Sequence, residues 1–245
     1  MVGSIAMLGI LGGMGPLATV DFMQKVIALS LANSDQEHLP MLVHNVPQIP
    51  DRSACILQGG KDPLPSLLQG LKRLENAGAM CIVIPCNTAH YWFGALQAHS
   101  TVKMISIIDV VCQELVRRGI TNVGLMATNA TVAAGIYKQR VGALGGECQV
   151  PDDLAQQQLM TAIYDIKAGR PEQGSRGMQM VFDGLLAGGA EAVILGCTEI
   201  PIGLANIAQQ QPERCIDATE LLARACVDWY YSGHDNHYLG EKQAA

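Results

Sequence analysis

Short apolar runs alternate with longer amphipathic stretches along most of this chain. Apolar runs without polar alternation are typical of strands whose two faces are both covered by helices. The runs predict strands at Ile5–Leu11, Met41–Val46, Met80–Pro85, Met104–Ile108, Asn122–Ala127, Glu147–Val150 and Ala192–Gly196. The amphipathic stretches predict helices at Thr19–Leu31, Pro65–Asn76, Val110–Arg118, Val132–Val141, Leu154–Ala168 and Gly174–Ala187. This alternation indicates βαβ units and an α/β fold built on mainly parallel sheets flanked by helices.

The chain also contains an internal repeat. The segment Ile5–Leu11 resembles Ile120–Met126, and the segment 78–88 resembles 189–199, at offsets of 115 and 111 residues. Each pair is an apolar strand followed by a turn of small or polar residues. Two similar halves predict two lobes related by a pseudo-twofold axis, with the active site in the cleft between them.

The repeat gives approximate boundaries for these lobes. We expect the first lobe to span residues 1–108 and the second to span 109–209. The segment 210–231 contains a predicted terminal helix, Thr219–Tyr231, which we expect to pack back on the first lobe. The polar stretch 232–245 is typical of a flexible tail.

Composition and charge exclude several classes of partner. The chain has 16 Lys and Arg against 22 Asp and Glu, a net charge of -6, which gives no basic surface for nucleic acid. No apolar run approaches the roughly 18 residues of a membrane span. The apolar start lacks a basic segment and is interpreted as a buried strand, not a secretion signal. Eight cysteines without close framework spacing indicate reduced thiols, so a cytoplasmic location is expected.

Two of the cysteines occupy equivalent positions in the repeat. Cys86 and Cys197 each follow the last apolar strand of their half, at the turn where an open α/β sheet binds ligands. A free thiol titrates near ~8.5, and a helix N-terminus lowers that value. One thiolate and one facing thiol are what proton exchange at a stereocentre requires. The remaining cysteines lack this pairing and are predicted to be structural: Cys55, Cys81, Cys112, Cys148, Cys215 and Cys226.

A metal site is the competing interpretation of the same cysteines. His90 follows Cys86 at i+4 spacing, and Glu199 lies near Cys197, so zinc ligands are present. However, no CxxC or HxxxH pattern supports a metal. We therefore expect no metal and interpret His90 as a helix residue with its hydrogen bonds satisfied.

The turn Gly12–Pro16 follows the first strand and opens a helix. Its glycines permit close backbone approach, its amides can form an anion-binding nest, and Pro16 suits the first helical position. The segment Gly13–Ala18 also fits a dinucleotide fingerprint, which is a weak signal by itself. The acidic residue that a dinucleotide-binding fold carries at the end of its second strand is missing, since that strand ends in Val46-Pro47-Gln48. A small carboxylate is thus favoured over a pyrophosphate.

Several polar residues lie beside the cysteines or in equivalent turns. Asn87, Thr88 and Thr198 can bind an α-carboxylate or an ammonium group, and can also cap the following helices. Thr128 and Thr131 take the place of the glycine turn in the second half, where capping is the favoured interpretation.

Cationic anchors are few. Arg52, after the second strand, is placed to clamp a distal carboxylate. Lys167, near the end of a predicted helix, adds a second positive charge. Two other interpretations of Lys167 remain open: interaction with the helix C-terminus, which is favoured for the residue taken alone, and a Schiff base with pyridoxal phosphate, for which no phosphate cradle is visible.

These motifs together resemble the aspartate/glutamate racemase family, in particular its aspartate-racemase branch. The resemblance runs over residues 9–219 and rests on four motifs: Gly12–Pro16, Asp51-Arg52, Pro85–Thr88 and Gly196–Glu199. The paired cysteine motifs are the specific part, whereas the glycine turn alone is not.

The resemblance implies a racemase of two α/β lobes that uses no cofactor and is usually a homodimer. It makes Cys86 and Cys197 the catalytic pair, and it places Arg52 and Lys167 at the side-chain carboxylate of the substrate. It places four further residues around the amino and α-carboxyl groups: Met14, Asn87, Thr88 and Thr198. The glutamate-racemase branch differs, with Asp-Ser-Gly at the first turn and Cys-Thr-His at the second cysteine. The Cys-Thr-Glu sequence of this chain leaves Glu199 beside the second thiol, and we expect Glu199 to orient or activate that thiol.

The sequence thus predicts an amino-acid racemase that interconverts L- and D-aspartate by two-base 1,1-proton transfer, with glutamate left open as a substrate. Within the same superfamily, a maleate isomerase, hydantoin racemase or arylmalonate decarboxylase relative is the rival. Outside it, a non-catalytic amino-acid-binding protein and a nicotinamide-dependent oxidoreductase remain alternatives.

Overall fold

The elements alternate along the chain in the order that the apolar pattern predicts. A computed structural model describes residues 6–233. The first half contains β1 (Leu8–Gly12), α1 (Pro16–Leu29), β2 (Met41–Asn45), α2 (Arg52–Gln58), α3 (Leu64–Asn76), β3 (Cys81–Val83), α4 (Phe93–His99), β4 (Lys103–Ile105) and α5 (Ile107–Arg118). The second half contains β5 (Asn122–Met126), α6 (Asn129–Ala133), α7 (Ile136–Ala143), β6 (Glu147–Gln149), α8 (Asp153–Lys167), α9 (Pro171–Ala187), β7 (Ala192–Leu195), α10 (Ile200–Gly203), α11 (Ala205–Gln210), β8 (Cys215–Asp217) and α12 (Ala218–Gly233). Short 3-10 helices cover Asp35–Glu37 and Thr88–Trp92.

The strands form two parallel four-stranded sheets with the same internal order. The first sheet is β2-β1-β3-β4 and the second is β6-β5-β7-β8. The register repeats as well, since Gly9 pairs with Ile82 in the first sheet and Gly124 pairs with Val193 in the second. Val193 follows Ile82 by the same 111 residues that separate the two cysteines. The predicted α/β class with two equivalent lobes is therefore confirmed.

Local signals in the sequence set where the helices begin and end. The Ser106 hydroxyl accepts the amide proton of Asp109 at the start of α5, and Gly119 ends that helix in the left-handed conformation. Asp152 accepts from the Ala155 amide in the same way at the start of α8. These are ordinary capping interactions, each typically worth about 1 kcal/mol.

One apolar cluster joins the two sheets. It includes Ile10 and Val83 from the first sheet, Leu125 and Ile194 from the second, and side chains of α5 and α12. Two further clusters lie within the separate halves, against α3 and α4 in one and α8 and α9 in the other. The two lobes thus share a core, which fixes the carboxyl ends of both sheets relative to each other.

The C-terminal part of the chain differs from the expected boundary. The segment 210–231 was expected to pack on the first lobe, but Cys215–Asp217 pairs with β7 as the fourth strand of the second sheet. This three-residue strand has too short an apolar run to be predicted. The following helix α12 packs on α1 and α5, and Lys25 of α1 forms an ion pair of 3.0 Å with Asp217.

Other differences from the predictions concern the helices. The predicted helix Val132–Val141 is divided into α6 and α7, because Gly135 adopts a left-handed conformation (φ +66°) between them. Helix α2 was not predicted, although Asp51 caps it by accepting from the Ala54 amide at 2.6 Å. Ile5 of the first predicted strand, and residues 234–245 of the predicted tail, lie outside the described residues. None of the helices within residues 6–233 is long and apolar enough to cross a membrane.

Candidate active site

Both cysteines of the repeat lie at the carboxyl ends of central strands. Cys86 follows β3 and Cys197 follows β7, and both side chains are buried. They line the same inner cavity. Parallel strands of an open α/β sheet present their ligand-binding turns at this edge, and the shared core brings the edges of the two sheets to one place.

Apart from the glycine turn, of which only Met14 takes part, the side chains predicted for catalysis and substrate binding line this inner cavity. Its volume is about 10 Å³, and it adjoins an outer cavity of about 330 Å³. Besides the two cysteines, the inner lining includes Met14, Arg52, Asn87, Thr88, Thr128, Lys167, Thr198 and Glu199. Asp51 and Ser53 also line it and were not nominated; their position beside Arg52 was the available signal. Arg52, Lys167 and Glu199 line both cavities.

The Arg52 guanidinium is a buried cation held by backbone carbonyls. Its Nη1 donates to Ile49 O at 3.1 Å and to Pro50 O at 3.0 Å, and its Nη2 lies 3.5 Å from Met14 O. Within residues 6–233 it forms no ion pair, and its buried Nε has no hydrogen-bond partner. A buried guanidinium without a carboxylate is well suited to receive one from a ligand.

Lys167, the last residue of α8, adds a second positive charge to the cavity. Burial opposes its charged form, whereas the adjacent carboxylate of Glu199 is the largest effect that favours it, and the pKa of Lys167 is raised above its usual value. The ammonium group thus stays charged and sits among the acidic and thiol groups. Its position at a helix C-terminus is also favourable, and the two roles are compatible.

The second thiol is directly paired with a carboxylate. The Cys197 Sγ–H donates to Glu199 Oε2 at 3.0 Å, and the Thr198 hydroxyl lies 3.3 Å from the same oxygen. Burial and the adjacent charge of Glu199 raise the pKa of Cys197 well above its usual range. Cys197 is therefore a thiol in this structure. Among the described residues, no comparable hydrogen bond involves the Cys86 sulfur, so the two thiols have unequal surroundings.

His90 supports the turn that carries Cys86. Its Nε2 accepts the amide proton of Ile107 at 3.0 Å, so Nδ1 carries the ring proton and donates to Cys86 O at 2.9 Å. Burial lowers the pKa of His90 to about 4, and the ring stacks on Phe93. Both ring nitrogens are occupied, as the interpretation of a satisfied histidine requires. Within residues 6–233, no three His, Cys, Asp or Glu side chains are grouped so as to hold a metal ion.

The glycine turn lies next to the site, but one of its backbone amides is already hydrogen-bonded within the protein. Gly13 adopts φ +96°, and a Cβ there would lie 2.3 Å from the Val46 backbone, so only glycine fits. Its amide donates to Thr19 Oγ1 at 2.9 Å and is thus unavailable to a phosphate. A Cβ on Gly15 would lie 3.1 Å from Glu199 Oε1, which shows how closely the turn approaches that carboxylate. Pro16 begins α1, as predicted.

Three threonine hydroxyl groups connect the two lobes, and two of these residues, Thr88 and Thr128, line the inner cavity. Thr88, Thr128 and Thr131 have mutual Oγ1–Oγ1 distances of 2.9 to 3.0 Å and are all buried. Thr128 also caps α6 by accepting from the Thr131 amide at 3.2 Å. The capping prediction for Thr128 is therefore correct, and Thr88 is tied across the lobes by the same group.

Comparison with known proteins identifies the family of this chain. The family model for Asp/Glu/hydantoin racemases matches residues 11–226. The aspartate racemase of Picrophilus torridus has 31% sequence identity and a TM-score of 0.84, over 92% of this chain and 94% of that one. An aspartate racemase homologue from Pyrococcus horikoshii OT3 has 27% identity and a TM-score of 0.73, over 91% and 98%. The broad specificity amino-acid racemase RacX of Bacillus subtilis (strain 168) is 28% identical over 230 residues, 91% of this chain and 98% of its own length.

These matches cover nearly all of the described chain and both thiol turns. The relatives are amino-acid racemases or a homologue of one, that is, proteins of the isomerase class. The resemblance drawn from the sequence motifs is confirmed at the level of the family: the chain belongs to the Asp/Glu/hydantoin racemase family.

Proposed function

We propose that this protein interconverts L- and D-aspartate by two-base 1,1-proton transfer at Cα, with Cys86 and Cys197 as the two bases. The observation that carries the proposal is that both thiols line one buried cavity together with Arg52 and Lys167. One thiolate removes the α-proton, and the thiol on the opposite face delivers a proton to the same carbon. The bond that breaks on one face is replaced on the other, so no oxidant, reductant or added cofactor is consumed.

The cations supply the preference for an acidic amino acid. Arg52 and Lys167 line both the inner and the outer cavity, where they can hold the side-chain carboxylate of aspartate. Glutamate carries the same group one methylene further out and is the second substrate to be tested. Fixing the substrate at two charged points aligns Cα between the thiols, which lowers the barrier by orientation.

Proton movement at the second thiol involves Glu199. For Cys197 to remove an α-proton, its own thiol proton must first leave, and Glu199 Oε2 accepts the hydrogen bond of that thiol at 3.0 Å. In the reverse direction Cys197 is already protonated and delivers its proton directly. Glu199 thus orients the thiol and exchanges a proton with it.

Cellular context and assembly form a separate proposal. All eight cysteines are free thiols, which is usual for proteins of a reducing compartment. The family resemblance points to a homodimer, and we propose a cytoplasmic homodimer that binds an acidic amino acid as its substrate. Size-exclusion chromatography with light scattering tests the assembly.

The experiment that tests the function follows the α-hydrogen. L-aspartate and L-glutamate are incubated in D2O with purified, reduced protein and no added cofactor, then examined by proton NMR and chiral chromatography. Loss of the α-hydrogen signal together with appearance of the D-isomer is expected. Binding without exchange would indicate an amino-acid-binding protein. An unchanged signal, with turnover of maleate or a hydantoin instead, would indicate a different reaction of the same family.

A further inference from the structure

Tyr137 connects the two thiol turns from the second lobe. Its side chain on α7 is fully buried, and its hydroxyl lies 2.6 Å from Asn87 Oδ1, 50 residues away in the sequence. Asn87 directly follows Cys86. The ring also packs on Gly196, where a Cβ would lie 3.3 Å from Tyr137 Cε2, and Gly196 directly precedes Cys197. One aromatic side chain therefore contacts the segment next to each thiol.

The direction of this hydrogen bond is fixed by chemistry. An amide oxygen can only accept, so the phenol donates. Burial raises the pKa of Tyr137 well above its usual value, so the hydroxyl keeps its proton at any working pH. If the Asn87 amide were rotated by 180°, the phenol proton would face an NH2 group that cannot accept it, and within residues 6–233 no hydrogen bond from this hydroxyl to another acceptor is present.

The hydrogen bond from Tyr137 determines which atoms of the Asn87 amide are available to a ligand in the cavity. Asn87 is 2% exposed and lines the inner cavity. Its Nδ2 is buried and has no hydrogen-bond partner within residues 6–233. With Oδ1 engaged by Tyr137, the group left for a ligand is an NH2 with N–H donors only. Such donors match a carboxylate oxygen and do not match an ammonium group.

We propose that Tyr137 is a positioning residue that holds the Asn87 amide with Nδ2 toward the cavity, so that it binds the α-carboxylate of the amino acid and not its ammonium group. This proposal rests on the proposed function. The α-carboxylate is the fitting partner because Asn87 adjoins Cys86, which must reach Cα, whereas Arg52 and Lys167 are assigned to the distal carboxylate.

The test is Tyr137→Phe, which removes the hydroxyl and keeps the ring on Gly196. KM for L-aspartate is expected to rise roughly tenfold, since a charge-assisted hydrogen bond is loosened, while kcat changes by less than about threefold. In an Asn87→Ala background, the same substitution is expected to change KM by less than about twofold, because Tyr137 acts through Asn87. Tyr231→Phe is the matched control: it removes a 2.8 Å phenol–carbonyl hydrogen bond to Glu37 O and leaves KM unchanged.

Several results would overturn the proposal. An unchanged KM in Tyr137→Phe, or an equal rise with and without Asn87, would show that Tyr137 does not act through this amide. If Tyr137→Phe does not fold, Asn87→Asp decides: it keeps an acceptor for Tyr137 but replaces Nδ2 by oxygen, so KM must rise at least as much. An unchanged KM there refutes the orientation of Asn87. Failure of the wild-type protein to exchange or bind any amino acid would instead refute the proposed function, and this proposal with it.

Discussion

Replacement of Glu199 by Gln separates the charge of this residue from its shape. The carboxylate lies 3.0 Å from the Cys197 sulfur and 3.3 Å from the Thr198 hydroxyl. It is also the largest favourable contribution to the charge of Lys167. Gln keeps the size of the side chain and one acceptor oxygen, but it cannot take up the thiol proton.

The expected loss follows from two opposing effects. General acid–base groups typically contribute about 10²- to 10⁴-fold to a rate. Removal of the negative charge also lowers the pKa of Cys197 from its raised value, which makes its thiolate easier to form. The net loss in kcat/KM is therefore expected at the lower end of that range, about 10²-fold, or about 2.7 kcal/mol in the barrier.

The assay must take account of the symmetry of the reaction. L- and D-aspartate have equal free energies in water and share one sequence of transition states, so kcat/KM must be the same in both directions for every variant. The asymmetry between the thiols instead becomes visible in isotope exchange. With α-deuterated substrates in H2O, Glu199→Gln is expected to slow most the step in which Cys197 removes the label, so the deuterium isotope effect grows for one enantiomer only.

A clear result would refute this reasoning. If Glu199→Gln retained kcat/KM within about threefold of the wild type, Glu199 would not move the proton of Cys197. Equal isotope effects for both enantiomers, together with a large rate loss, would show that Glu199 supports binding instead. Glu220→Gln is the control, because Glu220 forms an exposed ion pair with Arg224 and its substitution should leave both measurements unchanged.

Three further predictions test other parts of the site. Cys86→Ala and Cys197→Ala are each expected to abolish racemisation, and normal turnover by both variants would contradict the two-base mechanism. Lys167→Met is expected to raise KM for aspartate about tenfold or more but to affect α-hydrogen exchange of L-alanine much less; equal effects would argue against a role at the distal carboxylate. Folding lowers the pKa of His90 from 6.5 to about 4, so the unfolded chain binds the proton at a higher pH than the folded one. The free energy of unfolding is therefore expected to fall by about 3 kcal/mol as the pH drops from above 6.5 to 4. Urea unfolding at several pH values would detect this dependence, which should be weaker in His90→Gln.

The sequence predicted the parts of the fold that depend on local pattern and on the repeat. The strands beside Cys86 and Cys197 are almost purely apolar, and their equivalence could be seen because both halves keep the same order of residues. By contrast, β8 has only three residues, Cys215–Asp217, and is a strand because it pairs with β7. The left-handed Gly135 divides a stretch that has continuous helical periodicity, and periodicity does not report on a single backbone angle.

The site shows the same division between local and long-range information. Residues adjacent to a motif, such as Asn87, Thr198 and Glu199, were found because they flank the thiols. Tyr137 was missed because its partner Asn87 lies 50 residues away in the other lobe, and nothing in the sequence around α7 marks that contact. The signal for Asp51 was present, since an Asp before a helical stretch is a usual N-cap.

The symmetry of the fold and the asymmetry of the site have different causes. The proposed two-base reaction needs a proton-transferring group on each face of Cα, and a duplicated half supplies two equivalent turns. In the proposed mechanism the two thiols have opposite protonation states when the substrate binds, and unequal surroundings favour one such state over the other. The surroundings of the two thiols differ in the residues that follow each cysteine. Asn87, next to Cys86, is held by Tyr137, whereas Cys197 donates to Glu199 two residues further along the chain. Because the equilibrium between enantiomers is fixed by their equal energies, the proposed mechanism lets this asymmetry govern how protons are loaded while it leaves the final ratio of enantiomers unchanged.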